Sequence, residues 1–166
     1  MRLQGVERLR VSLESLVQET AVLDPKNILY EDTSLLAINK PSGLPTHSKA
    51  SCPGGDCLTA IKRILADRMG SLFEGFLSPC HRLDRETSGI LLFAKSKATA
   101  RCLFEQFRFR GVEKIYLDVV HGHFPQNSGV LTSRVTPKGS GRPQILAEGG
   151  VEAVTEYQVL ETRLRT

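Results

Sequence analysis

The stretch "PCHRLDRETSGILLFAKSKA", Pro79–Ala98, decides how the rest of the chain is read. Its second half, "GILLFA", is an apolar run of strand length, introduced by the turn formers Thr87, Ser88 and Gly89. Its first half sets Asp84 between Arg82 and Arg85, directly behind His81. A carboxylate so placed is either an ion-paired structural element or a reactive group held by its neighbours. The surrounding segments have to decide between the two.

Working outward, the residues after this strand predict a helix over Ala98–Arg110, with Ala98, Cys102, Phe104 and Phe107 among its apolar positions and Gly111 at its end. "KIYLDVVHG", Lys114–Gly122, alternates Ile115, Leu117 and Val119 with Lys114, Tyr116 and Asp118, which predicts a strand. "FPQNSG" is a turn cluster, the segment 133–150 a long polar loop, and "VEAVTEYQVLE" a last strand. Towards the N-terminus, Leu58–Met69 carries Leu58, Ile61, Ile64 and Leu65 on one helical face and is stopped by Gly70. Before it, "KPSGLPTHSKASCPGGDC" is a long loop, and such loops in compact domains are functional or mobile. Two short strands, Ile28–Tyr30 and Leu35–Asn39, flank the turn former "EDTS". Residues 1–26 predict a short helical lead-in, with Leu9, Val11, Leu13, Leu16 and Val17 as an incomplete apolar stripe. Strands outnumber helices and mix with them irregularly. The fold class is therefore α+β, a mixed, mainly antiparallel sheet with flanking helices, over residues 27–166.

With 166 residues, 40% hydrophobic and 24% charged, the chain is long enough for one domain with its own core. Its longest apolar runs fall far short of the ~20 residues of a membrane helix, and charges interrupt the leucines of its N-terminus, unlike a secretory signal. These features point to a cytoplasmic protein with no membrane partner. The net charge of +4 favours an anionic partner. Lys95, Lys97, Arg101, Arg108, Arg110 and Lys114 face only Glu105 and Glu113 in the same stretch, a footprint suited either to a phosphate backbone or to a solvated helix face. Cys52, Cys57, Cys80 and Cys102 include no C-x-x-C pair, so reduced thiols are expected rather than a zinc site.

Three segments fall in a telling order: "INKPSG" at Ile38–Gly43, "HRLDRETSG" at His81–Gly89, and "EKIYLDVVHG" at Glu113–Gly122. Taken singly, Lys40-Pro41 reads as a strand end, Tyr116 as half-buried packing, and His81, His121 and His123 as structural histidines. Together the three segments resemble the signature segments of the RluA-type family of RNA pseudouridine synthases, from about Asn27 to Glu161. The resemblance implies an isomerase that needs no cofactor or metal. Its substrate would be a uridine in structured RNA, rRNA or tRNA, with no DNA partner, and a monomer is expected. It also implies Asp84 as the catalytic residue, Arg82 as the group that occupies the gap left by an extruded uridine, and Tyr116 as a ring against the base and a candidate for proton transfer. Lys95, Arg101 and Arg108 are the matching candidates for phosphate contacts.

The chemistry of these residue types agrees. Breaking a glycosidic bond leaves positive character on the sugar, which an ionised carboxylate can trap or stabilise. Flanking arginines would keep Asp84 ionised. Extruding a base costs a few kcal/mol, part of which a planar guanidinium offsets, and an aromatic face contributes roughly 1–3 kcal/mol by stacking. Nucleophilic attack by Asp84 and a proton shift to a glycal both remain open. In the family, an Arg- and His-containing segment follows the strand that "EAVTEYQVLE" matches. Here the sequence ends at "TRLRT", so a C-terminally shortened member is expected, as is the absence of a separate N-terminal RNA-binding domain. Three readings stand at this point: an active pseudouridine synthase, an RNA-binding module or inactive paralogue, and another carboxylate enzyme such as a glycosidase. The last is disfavoured because no second acid sits at a defined place.

Overall fold

A computed structural model describes residues 22–47, 55–136 and 144–162. The expected N-terminal helix and Cys52 lie outside the described residues. The chain forms two compact units, one within Met1–Lys114 and one within Ile115–Thr166.

In the first unit, a short 3-10 turn at Pro25–Asn27, capped by Asp24, leads into β1 (Ile28–Glu31) and β2 (Leu35–Lys40). The turn between the strands is closed by Asp32, whose carboxylate accepts from the backbone N–H of Ser34 and Leu35. Helix α1 (Cys57–Met69) starts at Asp56, which accepts from the Thr59 N–H, and ends at Gly70 in the left-handed region at φ 67°. There follow β3 (Ser78–Pro79), β4 (Gly89–Ala94) and α2 (Lys97–Arg108), the last capped by Ser96.

The four strands form one sheet in the order β1-β2-β4-β3, every pairing antiparallel. Register explains the core. Leu36 lies opposite Phe93, Ile38 opposite Leu91, and Lys40 opposite Gly89. Paired residues share a face, so Leu36, Ile38, Leu91 and Phe93 form one fully buried layer. Ile61, Ile64 and Leu65 of α1 join that layer, together with Leu44 and Leu83 from loops. Of the predicted strand at Ile90–Ala94, Leu91, Phe93 and Ala94 are buried, while alternation turns Ile90 out to solvent and leaves Leu92 half-buried.

The second unit contains β5 (Ser128–Val135), β6 (Ile145–Leu146) and β7 (Val151–Gln158) in the order β6-β5-β7, again antiparallel. β5 and β7 pair along eight residues each. Tyr157 sits opposite Gly129 and stacks on Phe124 with ring centroids 4.2 Å apart.

Two expectations need correction. Lys114–Gly122 is not a strand: its alternation is intact, but no described strand runs alongside it, and a strand needs a partner for its backbone groups. Ile115, Leu117 and Val119 are consequently exposed. Conversely, the end of β5 and all of β6 fall within 133–150, which reads as a polar loop: β7 supplies a ladder for β5, and β5 in turn pairs with β6.

Candidate active site

The loop 80–88 enters from β3 and leaves into β4, which sits inside the sheet. After the buried Cys80 at its start, Leu83, 6% exposed, is the residue that enters the core cluster. On either side, Arg82 and Asp84 project into solvent, with side chains 71% and 84% exposed and 3.6 Å between Nη2 and Oδ1. One buried leucine thus fixes a turn that presents two charged groups. The Thr87 N–H closes that turn on the Asp84 carbonyl.

The backbone around Asp84 is tied down from the segment after β2. The Thr46 hydroxyl donates to the Leu83 carbonyl at 2.8 Å and accepts from the Leu83 N–H at 3.1 Å, both buried. The Arg85 carbonyl receives the Gly43 N–H at 2.8 Å and the Lys40 ammonium at 3.0 Å. The Ser42 hydroxyl donates to the Glu86 carbonyl at 2.8 Å. Lys40 itself is fully buried, because the alternation that turns Leu36 and Ile38 inward also turns Lys40 inward. Its ammonium spends its remaining donors on the carbonyls of Pro41 (2.9 Å) and Leu44 (2.7 Å). Burial lowers its pKa from the ordinary lysine value, opposed by Cys57, Glu86 and Asp84. The Cys57 thiol is pushed up to about 11, chiefly by burial.

Arg85 does not take the place expected for it. Its Nε donates to the Gly43 carbonyl at 3.0 Å and it pairs with Glu86, so Arg82 is the arginine in ionic contact with Asp84. His81 is structural: Nε2 accepts from the Leu92 N–H at 3.2 Å and the ring lies 4.7 Å from that of Phe107 on α2. Burial holds this imidazole below its ordinary value of 6.5.

The basic candidates separate. Lys95 is bound to the Glu31 carboxylate at 2.9 Å and the Asp32 carbonyl at 2.7 Å, while Arg68 reaches Glu31 from α1 at 3.1 Å. Arg101 and Arg108 remain on the surface of α2, the first pairing with Glu105 one turn on, the second lying over the exposed ring of Phe109 at 5.5 Å. Tyr116 belongs to the second unit and is exposed. Sequence reasoning missed Thr46 and the inward role of Lys40. The period-two pattern Leu36, Ile38, Lys40 was a signal for the latter; a lone threonine in a Pro- and Gly-rich loop gives none. Among the described residues no group of His, Cys, Asp and Glu could hold a metal ion.

The chain is similar to known proteins over most of its length. Residues 34–165 match the RNA pseudouridylate synthase family. Ribosomal large subunit pseudouridine synthase C of Pasteurella multocida is 41% identical over 139 residues, covering 82% of this chain and 40% of the relative. The dual-specificity RNA pseudouridine synthase RluA of Haemophilus influenzae is 36% identical over 149 residues, covering 88% of this chain and 64% of the relative. The chain therefore spans about half the length of the curated relatives it matches. Among solved structures, human RNA pseudouridylate synthase domain containing 4 superposes with a TM-score of 0.59 at 30% identity, covering 84% of this chain and 55% of that one. By this match over most of its length, the chain belongs to the RNA pseudouridylate synthase family.

Proposed function

We propose that the protein isomerises uridine to pseudouridine in structured RNA, rRNA or tRNA, with Asp84 as its catalytic carboxylate. The observation that carries this reading is an exposed aspartate, paired with one arginine, on a turn whose backbone is held by buried hydrogen bonds. Isomerisation breaks the bond from N1 to C1′ and forms one from C5 to C1′; C5 loses a proton and N1 gains one. The sugar needs a carboxylate at its reacting face, and both routes, attack at C1′ or a proton shift to a glycal, begin from that group. Arg82 lies 3.6 Å from the Asp84 carboxylate, and its planar guanidinium is suited to fill the gap left by the extruded base. Tyr116 offers a ring for the base. Arg101 and Arg108 are suited to phosphates, whereas the Lys95 ammonium is already engaged.

In this reading residues 27–166 act as the catalytic domain behind the lead-in 1–26, as a cytoplasmic monomer that uses no cofactor. No described helix is long and apolar enough to cross a membrane. The test is tritium release from RNA labelled at uracil C5, alongside a mobility shift with the same RNA. Release that depends on Asp84 supports isomerisation. A shift without release reduces the role to RNA binding.

A further inference from the structure

We infer that Lys40, Ser42 and Thr46 are positioning residues for Asp84, forming a clamp that fixes the backbone on both sides of it. This rests on the proposed role of Asp84. Three features favour a clamp over ordinary loop packing. The bonded atoms flank one residue: both backbone polar groups of Leu83 go to Thr46, the Arg85 carbonyl takes two donors, and the Glu86 carbonyl takes Ser42. Asp84 is the residue in the middle, and its side chain stays open to solvent.

The donors also come from a single stretch, residues 40–46, that begins in the sheet. Lys40 is anchored opposite Gly89, the first residue of β4, so residues 40–46 start beside the point where the Asp84 loop rejoins the sheet. Gly89 lies at φ 123°, a backbone region that side chains rarely tolerate, and this lets the loop turn into β4 directly over Lys40.

Finally, the chemistry chosen is costly for mere packing. A buried ammonium must be matched by acceptors, and Lys40 has three carbonyls, from residues 41, 44 and 85. It thereby joins two loops that are 45 residues apart in the chain. A carboxylate acting on a sugar must be held to within a fraction of an ångström, and small misplacements cost up to about a hundred-fold in rate. The clamp supplies that precision without touching substrate.

Thr46→Val keeps shape and removes both bonds to Leu83; Thr46→Ser keeps the hydroxyl. In tritium-release kinetics we expect Thr46→Val to lower kcat about ten-fold or more, with KM within about two-fold, and Thr46→Ser to restore most of it. Each kcat is taken per folded molecule, from melting curves recorded in parallel. Ser42→Ala removes an exposed bond at the outer end of the clamp and carries the test if Thr46→Val does not fold; its kcat should fall about two- to three-fold with KM unchanged. Unchanged kcat per folded molecule, or a rise in KM alone, overturns the inference while leaving the proposed function standing. No turnover by the unsubstituted protein overturns the proposed function, and this inference with it.

Discussion

Leu83→Ala tests whether the turn bearing Asp84 is anchored in the core or merely rests on it. Leu83 is 6% exposed and packs in one cluster with Leu44, Ile61 and the β2–β4 layer. Truncating a buried leucine removes its transfer free energy and leaves a cavity, typically about 3 kcal/mol in total. At roughly 4 °C per kcal/mol for a unit of this size, the melting transition should fall by about 12 °C. A local readout is available in the same sample. Cys57 is fully buried whereas Cys102 is exposed, so a thiol reagent should label Cys102 at once and Cys57 only on opening. Leu83→Ala should speed Cys57 labelling and leave Cys102 unchanged. Ile90→Ala, at an exposed position on β4, serves as the control and should cost less than about 0.5 kcal/mol. A melting temperature within about 2 °C of the unsubstituted protein, with Cys57 still protected, would refute the anchoring argument.

Further outcomes follow from the other contacts. Arg101→Ala with Arg108→Ala should weaken RNA binding across sequences and reduce its salt slope by about two, whereas Lys95→Ala should lower the melting temperature and leave the slope alone. Arg82→Ala should slow turnover on a base-paired uridine more than on a flexible single strand, since only the former requires unstacking; equal losses would count against that role. His81 has its folded-state pKa depressed by burial, so between that value and 6.5 the unfolded chain binds more protons. Its contribution to stability is full above 6.5 and is lost as pH falls through the folded value. Melting temperatures measured from about pH 7 to about pH 5 should fall less steeply for His81→Gln than for the unsubstituted protein.

The sequence was legible where local pattern and tertiary environment agree. The helix at Leu58–Met69 has an apolar face and a stop signal, and both recur in α1. "GILLFA" and the last strand were legible for the same reason. Lys114–Gly122 misled because alternation states which face a strand would bury and says nothing of whether a neighbour exists to pair with it. β5 hid behind Ser128, Gly129 and Ser133, turn formers that adopt the ladder because β7 lies opposite. At the site, Arg82 and Asp84 were readable from one tetrapeptide, but the partner of Arg85 was not, since Gly43 lies 42 residues away. Lys95 shows the same limit. Its charge suggested a phosphate, and only the fold brings Glu31 and Asp32 to it.

The central claim is that Asp84 is a reactive carboxylate and not a structural one, and Asp84→Asn separates the two. Its partner Arg82 is an exposed ion pair at 3.6 Å, a type worth under about 1 kcal/mol. The substitution should therefore shift the melting temperature by no more than about 4 °C and leave RNA affinity nearly unchanged. Tritium release from RNA labelled at uracil C5 should fall about a thousand-fold or more, because the charge that meets the developing positive sugar is gone. Release by Asp84→Asn within a few-fold of the unsubstituted protein, or a loss of activity matched by a loss of folded molecules, would contradict the account.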